Sequence, residues 1–505
     1  MFIWGFVLAA SLVATLVYRH YFHPLSHIPG PKIGISTRAW QSWRYLKGQW
    51  HTDILELHAR YGPVVRIAPN AVSILDANYG LRAIYGHGTK ATKTDWYRIW
   101  NSSGKISNTA FSEIDVNEHS RKRKQVAKAY AMTSILKMEK YIQAIVDQSR
   151  ETFAECVADA RKGETWAVLD MAVYTQAFAF DVLGEIGFGG SFDLLKTRGE
   201  GPSKSIVEAI DLSFLVLANS GYLPGKLRWL KSNGIRTICK LANIDLSRLQ
   251  QLFKVTQYAD EMILKRKQEK ASRTDLLQQF IDSKTSDGKP LDHPELLGEV
   301  VSLLGAGADT TAIGIRAALG PLVLDRTGYR KLIEEIDSFY ATHNLEGREI
   351  KYTECLDLPY LQAVIKEGLR MHPSIQFQLP RFSPAGGVTI CNAYIPAGTE
   401  ISMSPVASNR DKAVFGKDAD IWNPDRWLES NERTAWMDKH NATFGYGARS
   451  CLGKNIALVE INLYVVQLLR HFELEIANPS EPWKVHTCWS SSQKNMFMKV
   501  TERNR

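Results

Sequence analysis

One short stretch constrains this chain more than any other part of its 505 residues. It places a single cysteine between glycines, two residues after an arginine, and reads Phe444-Gly445-Tyr446-Gly447-Ala448-Arg449-Ser450-Cys451-Leu452-Gly453. The apolar run from Lys454 to about His471 predicts a helix directly after it. A thiolate at Cys451 would therefore lie at a helix N-terminus, where free N–H groups and the helix dipole stabilise negative charge.

This stretch, Phe444–Gly453, is called the cysteine loop below. Its glycines allow the backbone to approach a large flat ligand, and Arg449 supplies a cation for an anionic ligand group. An iron porphyrin meets both conditions, with sulfur on the metal and the guanidinium on a propionate. Taken alone, Cys451 would more often be an inert buried cysteine.

The pattern Phe-x-x-Gly-x-Arg-x-Cys-x-Gly resembles the haem-binding loop of the cytochrome P-450 haem-thiolate monooxygenases. The resemblance implies a mainly α fold with a small β-sheet region, and haem b (iron protoporphyrin IX) as cofactor. It makes Cys451 the axial ligand of the haem iron, and it places Phe444, Gly447, Arg449 and Gly453 at the cofactor.

A long apolar helix is predicted from Pro294 to about Leu319. Asp292 is a suitable N-cap before it, and Gly320-Pro321 should kink or end it. Gly305 and Gly307 lie in its middle, at a cost of roughly 0.5–1 kcal/mol each relative to alanine. Close approach of a flat ligand, or a local opening of the hydrogen-bond ladder, would offset that cost.

An acid and an alcohol follow these glycines, and such a pair can relay protons to bound dioxygen. The segment Ala306–Thr311 resembles the family's oxygen-activation motif, which makes Asp309 and Thr310 the catalytic pair. A crossing of helices through small residues is the alternative. A dinucleotide-binding turn is disfavoured, because Thr310 stands where the third glycine is needed.

A carboxylate and a guanidinium share one face of the helix predicted over Leu358–Met371. In isolation, Glu367 and Arg370 would form an ordinary surface ion pair. Because Arg426 follows at the family's spacing, the resemblance makes the three a buried structural triad that fixes the segment before the cysteine.

Further basic residues match the family's propionate-binding positions. His119 and Arg123 lie four residues apart on one predicted helical face, and Arg381 precedes a β-rich stretch. Each alone would be an ordinary surface residue; with Arg449, the resemblance implies a propionate clamp.

The N-terminus is apolar and carries no side-chain charge from Met1 to Tyr18, which is long enough to cross a membrane. We expect residues 1–22 to form a membrane anchor, 23–36 a proline-rich hinge, and 37–505 the haem-thiolate monooxygenase domain. Basic residues after the apolar run favour a cytosolic body, and the resemblance implies a single-pass protein of the endoplasmic reticulum. A cleaved signal peptide is the alternative, but bulky residues rather than small ones follow the apolar run.

Charge and cysteines restrict the alternatives. The net charge is +9, and the basic runs 121–124 and 265–267 are interpreted as solvated helical faces, or as docking faces for an acidic electron donor or anionic lipid. No nucleic-acid-binding module is recognisable, so we expect no nucleic acid partner. Six scattered cysteines without a Cys-x-x-Cys pair indicate a reducing compartment.

Periodicity predicts a mostly helical body with a few short strands. Helices are predicted at 51–61, 116–130, 134–162, 173–186, 246–271, 294–319, 329–342 and 358–371. Strands are predicted at 64–68, 71–75, 387–390 and 400–403, and 404–439 is predicted to be an ordered loop.

By analogy with the family, substrate is lined by five segments: 86–115, 213–222, 303–306, 374–378 and 488–491. They are apolar and aromatic and predict a bulky lipophilic substrate. The residues concerned are Tyr97, Ile99, Trp100, Phe214, Leu215, Leu217, Ile375, Phe377 and Trp489. Short motifs such as Gly86-His87-Gly88 resemble filamentous-fungal members of secondary metabolism, near the pisatin-demethylase-like group.

The resemblance therefore implies insertion of one oxygen atom from O₂ into a lipophilic metabolite. Electrons from NADPH would arrive through the flavins of a separate NADPH–cytochrome P-450 reductase, with cytochrome b5 as a second candidate donor. Two alternatives stay open: an oxygen-independent haem-thiolate isomerase or dehydratase, and a non-enzymatic haem carrier or sensor.

Overall fold

Helices form most of the molecule, and the computed structural model describes residues 2–101, 106–160, 165–222, 247–269, 273–285, 287–345, 347–487 and 489–503. The longer α-helices are Phe2–Val17, Arg38–Leu46, Trp50–Tyr61, Val116–Val126, Glu139–Ala160, Met171–Phe188, Lys204–Ser220, Ser247–Gln268, His293–Leu324, Arg326–Thr342, Pro359–Met371, Asn431–His440 and Lys454–His471. Shorter α-helices are Lys32–Ser36, Gly80–Tyr85, Met132–Ile135, Leu276–Asp282, Tyr352–Cys355, Pro405–Ser408 and Lys412–Phe415.

The β structure lies in small sheets. One sheet contains five strands in the order Val64–Ala68, Ala71–Ile74, Glu400–Ser402, Arg381–Phe382 and Thr92–Lys93. All of its pairs are antiparallel except that of Ala71–Ile74 with Glu400–Ser402. A three-stranded antiparallel sheet has the order Trp166–Asp170, Phe497–Glu502, Phe472–Ile476. Two hairpins complete the set: Val388–Ile390 with Ala393–Ile395, and Lys484–Thr487 with Ser491–Lys494.

The core is built around the helix His293–Leu324, called the central helix below. It packs against the helices Met171–Phe188, Pro359–Met371 and Lys454–His471. The helix Pro359–Met371 approaches very closely at Gly368, where a Cβ atom would lie 2.5 Å from the carbonyl oxygen of Ala317. Glycine is therefore required there for the two backbones to come together.

The N-terminal helix Phe2–Val17 continues through a wider turn, Tyr18–Phe22. Its described side chains are mostly exposed, and Ile3–Phe22 is apolar and long enough to cross a membrane. The central helix passes the same test, but it is largely buried in the protein. The segment after the N-terminal helix packs on the body: Leu25 and Ile28 are buried, and the amide of Arg66 donates to the carbonyl of Pro29 at 2.8 Å.

The predicted fold class is confirmed, and so are the predicted strands and most helices. The central helix begins as its sequence predicted, since the Asp292 carboxylate accepts from the amide of Glu295 at 2.7 Å. The helices predicted over 134–162 and 246–271 are present as Glu139–Ala160 and Ser247–Gln268, and residues 161–162, 246 and 270–271 lie outside the described part of the chain.

Two predictions were wrong. The central helix does not end at Gly320-Pro321 but continues to Leu324, with the proline in its last turns, and the alternative of a kink there stays a prediction. The segment 404–439 is not a plain loop. It contains three α-helices, Pro405–Ser408, Lys412–Phe415 and most of Asn431–His440, the last capped by the Ser430 hydroxyl.

Candidate functional site

A large cavity of about 990 Å³ lies between the cysteine loop and the central helix. The loop contributes Phe444, Gly445 and Arg449 to Gly453, and the central helix contributes Gly298 to Thr311 in part. The helix Lys204–Ser220 and Trp489, which lies near the C-terminus, close another side. Its size is at the upper end of the range for sites that hold cofactors or drug-sized ligands.

The cysteine loop is folded so that Cys451 faces this cavity. The amide of Cys451 donates to the carbonyl of Phe444 at 2.8 Å, which closes the loop on itself. Burial raises the pKa of the Cys451 thiol. The backbone N–H groups of Gly453 and Lys454 and the charge of Arg123 act in the opposite direction. The helix N-terminus thus acts in favour of a thiolate, but burial outweighs it in the protein alone. A metal cation at the sulfur would reverse that balance, and the role of Cys451 as a ligand stays a prediction.

The loop residues predicted to contact cofactor differ in position. Phe444 and Gly453 line the cavity, and no described atom lies within 4 Å of the place where a Gly453 side chain would begin. Gly447 does not line it. Its φ is +65°, and a Cβ atom there would lie 2.2 Å from the carbonyl oxygen of Tyr85. Gly447 therefore permits contact between protein segments rather than the approach of a ligand.

One end of the cavity holds the predicted basic residues together. His119, Arg123, Arg381 and Arg449 all line it, and Arg123 donates to the carbonyl of Ser450 at 2.8 Å. Arg449 contacts the carbonyl of Glu113 at 3.4 Å. Within the described chain, none of the three arginines forms an ion pair with a carboxylate. Such a set of cations is suited to an external anion.

The pKa shifts of His119 and Arg449 are those expected of neighbouring buried cations without an anion. Burial, followed by the charges of Arg449 and other cations, lowers the pKa of His119 to about 3. Burial and the charge of Arg381 lower the pKa of Arg449 to about 10. The imidazole of His119 is therefore neutral in the protein alone and can donate a hydrogen bond from one nitrogen.

The basic run 121–124 is not the solvated face that was predicted. Lys122 is buried and Arg123 lies in the cavity, while Arg121 pairs with Glu118 and Glu295. Within this run, Arg121 forms structural ion pairs and Arg123 lines the cavity, because one face of this helix is turned toward the interior. In the run 265–267, Arg266 pairs with Asp275 at 2.6 Å.

Glu367, Arg370 and Arg426 meet in the interior. Arg370 binds both carboxylate oxygens of Glu367 at 2.8 Å, and Arg426 donates to one of them at 3.1 Å. The indole of Trp427 and the amide of Asn423 also donate to this carboxylate, at 3.0 and 2.9 Å. The charges are buried but fully hydrogen-bonded, which is the condition for such a cluster to be tolerated.

The triad reaches the cysteine loop through one intermediate residue. Arg370 donates to the carbonyl of Asn409 at 2.7 Å. The side chain of Asn409 accepts from the amide of Ala442 at 2.8 Å and donates to the hydroxyl of Thr443 at 2.9 Å. These bonds hold the segment that enters the loop at Phe444.

Asp309 and Thr310 lie on different sides of the central helix. Thr310 lines the cavity, and its hydroxyl donates to the carbonyl of Ala306 at 2.7 Å. Asp309 is buried, does not line the cavity, and accepts from the amide of Gln176 at 3.4 Å. Burial and then the charge of Asp309 raise the pKa of Asp211 to about 7, so a second carboxyl group is near.

The glycines before this pair have overlapping roles. The central helix is continuous through this segment. Both glycines line the cavity. A Cβ atom on Gly307 would lie 2.9 Å from Leu183, and one on Gly305 would lie 3.6 Å from the ring of Phe214. Both glycines therefore leave room in the cavity, and Gly307 in addition allows Leu183 to pack closely against the central helix.

Six of the nine predicted substrate-facing side chains line the cavity: Tyr97, Trp100, Phe214, Leu217, Ile375 and Trp489. Ile99, Leu215 and Phe377 do not. The predicted lining segments include residues 102–105 and 488, which lie outside the described residues. Three lining residues that the sequence did not predict carry ionisable side chains: Lys93, Glu299 and Glu460. Burial raises the pKa of Glu299 to about 7, and no local motif marks any of the three.

The residues present fit an iron porphyrin. A cysteine sulfur opens into a large cavity, and a group of buried cations without carboxylate partners among the described residues lies at one end. Sulfur suits the iron, and the cations suit the two propionates. The fold and this site define a haem-thiolate protein.

The chain belongs to the cytochrome P-450 family, whose sequence profile matches residues 29–500. It is 32% identical to the cytochrome P-450 monooxygenase gsfF of Penicillium aethiopicum, over 99% of both chains. It is 31% identical to the monooxygenase cicH of Emericella nidulans, again over 99% of each chain. It is 30% identical to pisatin demethylase of Fusarium vanettenii, over 94% of this chain and 88% of that protein.

These relatives confirm the predicted family and its likeness to filamentous-fungal members. They also confirm the enzyme class: the protein is a haem-thiolate monooxygenase, an oxidoreductase. The N-terminal helix is a candidate membrane anchor, consistent with a membrane-bound member of the family.

The triad generates a test. Replacing Arg370 with alanine leaves the Glu367 carboxylate buried without its bidentate partner, at a cost of about 3–5 kcal/mol. We expect the Arg370→Ala protein to incorporate little haem, measured as Soret absorbance per mole of purified chain.

Lys366 provides a matched control on the same helix, because it pairs with Asp438 at the surface. Lys366→Ala should cost at most about 1 kcal/mol and keep its haem. Normal Soret absorbance in Arg370→Ala would show that the triad does not support the cysteine loop.

Proposed function

We propose that this protein inserts one oxygen atom from O₂ into a bulky lipophilic secondary metabolite, by hydroxylation, epoxidation or a related oxidation. The observation that carries the proposal is the cavity that combines a cysteine sulfur, a cationic end and an aromatic wall. When bound, thiolate-ligated haem supplies the dioxygen activation, since the sulfur pushes electron density to favour O–O cleavage.

The cysteine loop would hold the cofactor from one side. Cys451 provides the sulfur, and the amides of Gly453 and Lys454 limit its basicity. Phe444 and Gly453 form the surface beside the sulfur. His119, Arg123, Arg381 and Arg449 would bind the propionates, which removes the repulsion among these cations.

The hydroxyl of Thr310 would position the last proton donor, a water molecule, in the cavity. Its hydroxyl now donates to the carbonyl of Ala306, and that oxygen can also accept from a cavity water. Asp309 cannot reach the cavity in the observed rotamer, because it faces Gln176. We propose that it holds protons on the far side of the helix and passes them toward Thr310 by rotation of its side chain or through water.

The substrate would meet a wall of aromatic rings. Trp100 lies with its ring centroid 4.9 Å from that of Trp489, 5.5 Å from Phe111 and 6.0 Å from Phe214. All four line the cavity. Rings at these distances form a rigid apolar surface that favours a lipophilic partner with flat faces.

The redox partner would be a separate NADPH–cytochrome P-450 reductase, which carries the flavins, with cytochrome b5 as a second donor. The matched family domain occupies residues 29–500, and we propose that the flavin and nicotinamide chemistry is supplied by that separate protein. Docking on the cysteine side would give electrons the shortest path to the haem. Residues 1–22 would anchor the protein in the endoplasmic reticulum with 23–36 as hinge, and 37–505 would form the cytosolic catalytic domain.

Two other functions predict different behaviour. An oxygen-independent isomerase or dehydratase would convert substrate without NADPH, and a haem carrier or sensor would show no substrate-dependent oxygen use. The relatives' names favour the monooxygenase. A requirement for NADPH, O₂ and reductase in product formation tests it against both.

The relay role of Thr310 predicts uncoupling. In Thr310→Ala we expect normal haem content but about a tenfold lower ratio of product to NADPH consumed, because protons arrive without a fixed donor. The ratio is measured by product and NADPH assays with parallel detection of peroxide.

Thr310→Ser keeps the hydroxyl and should retain most of the coupling. If Thr310→Ala couples NADPH use to product as well as the unsubstituted protein does, Thr310 has no part in proton delivery.

The aromatic wall predicts a binding loss. Replacing Phe214 with alanine removes one ring, and the Kd of a lipophilic aromatic ligand should rise about tenfold. The ligand-induced shift of the Soret band, titrated with a panel of polycyclic phenols, gives this Kd.

Leu215 is the neighbouring control. It lies on the same helix, is partly exposed and does not line the cavity. Leu215→Ala should leave Kd unchanged; equal effects of the two substitutions would contradict the proposed wall.

A further inference from the structure

Glu299 is a buried carboxyl group on the wall of the cavity. It belongs to the central helix, is only 6% exposed and lines the cavity. Within the described residues, its carboxylate accepts no hydrogen bond and has no partner at ion-pair distance. A buried carboxylate without a partner is unfavourable, so this side chain is placed to receive a partner from the cavity.

The charged groups around Glu299 do not supply that partner. Arg121 and Lys122, on the helix Val116–Val126, both bind Glu295 instead, at 2.7 and 3.5 Å. Burial has the largest effect on the pKa of Glu299 and raises it to about 7, while the charge of Lys122 lowers it and that of Glu295 raises it. Glu299 is therefore ionised only in part at neutral pH, and a cation beside it would complete the ionisation.

Close packing of the central helix fixes the position of this carboxyl group. A Cβ atom on the neighbouring Gly298 would lie 2.9 Å from the carbonyl oxygen of Ser107. The amide of Ser107 in turn donates to the carbonyl of Pro294 at 3.0 Å. Glu299 thus stands in a firmly held and mostly apolar wall, where a charge-assisted hydrogen bond is stronger than it is in water.

Glu299 and Thr310 share one face of the central helix. They are eleven positions apart, which is about three helical turns, and both line the cavity. Their separation along the helix axis is roughly 16 Å. A group bound at Glu299 is therefore held well away from Thr310, at the other end of a long ligand.

We propose that Glu299 binds a protonated amine of the substrate and so determines which end of the substrate faces Thr310. The inference rests on the proposed monooxygenase function and adds a basic nitrogen to the lipophilic substrate class. A protonated amine fits because it donates a hydrogen bond and also carries the charge that the carboxylate lacks in its surroundings. A neutral donor such as a hydroxyl group supplies only the weaker hydrogen bond.

The test uses two probes of the same shape. N,N-dimethyl-2-(2-naphthyl)ethylamine is protonated at neutral pH, and 2-(3-methylbutyl)naphthalene has a CH group in place of the nitrogen. The Kd of each probe is measured by ultrafiltration with the ferrous carbon monoxide complex of the full-length holoprotein. Carbon monoxide occupies the iron, so the nitrogen of the probe cannot bind there.

We expect Glu299→Gln to raise the Kd of the amine about tenfold and to leave the Kd of the hydrocarbon unchanged. The matched control is Glu208→Gln, which removes the same charge from the helix Lys204–Ser220. Glu208 is exposed and does not line the cavity, so this variant should bind both probes like the unsubstituted protein.

A purely structural role would give a different result. If Glu299 only compensates the charge of Lys122, Glu299→Gln will change the free energy of unfolding but not the ratio of the two Kd values, and an unchanged ratio overturns the proposal. If Glu299→Gln yields no holoprotein, Glu299→Met is measured in its place and is judged by the same ratio. The Soret band of each carbon monoxide complex reports the sulfur ligand separately, so failure of the haem-thiolate site itself would be recognised.

Discussion

The hydrogen bonds to the buried carboxylate of Glu367 are the interactions on which the arrangement of the site depends. This carboxylate accepts from two arginines, an indole and a backbone amide, and so joins the helix Pro359–Met371 to the segment 423–427. Arg370 also donates to the carbonyl of Asn409, and the side chain of Asn409 binds the amide of Ala442, just before the cysteine loop. An isolated ion pair of this kind would contribute little. Here the cluster matters because it fixes the relative positions of these segments, and removing either arginine would leave the buried carboxylate less well compensated.

The opposite principle governs the end of the cavity. There, buried cations gather without carboxylates of the described chain to pair with them. The protein thus satisfies its charges internally where it needs a rigid scaffold, and leaves them unsatisfied where a dianionic cofactor edge would enter. In the proposed site, binding of the cofactor edge would offset the free-energy cost of burying these cations, which would couple assembly of the site to haem.

The sequence predicted those features that are specified locally. The start of the central helix follows from the Asp292 cap, and the position of Cys451 follows from its glycines and the helix after it. Contacts between distant segments were less accessible. Lys93 stands in a two-residue strand whose partner, Arg381, is far along the chain, and no pattern marks it. The helix Asn431–His440 was missed because it is mostly polar and buries only Met437 and His440. The direction of Asp309 and the packing role of Gly447 depend on neighbours, Gln176 and Tyr85, that only the fold reveals.

The central claim is that the sulfur of Cys451 holds the iron of a porphyrin in this cavity. The most direct measurement is the absorption spectrum of the purified, dithionite-reduced protein with carbon monoxide, compared with Cys451→His. We predict the strongly red-shifted Soret band of thiolate ligation in the unsubstituted protein and its loss in the variant. A Soret band at the position typical of imidazole ligation in the unsubstituted protein would contradict the account.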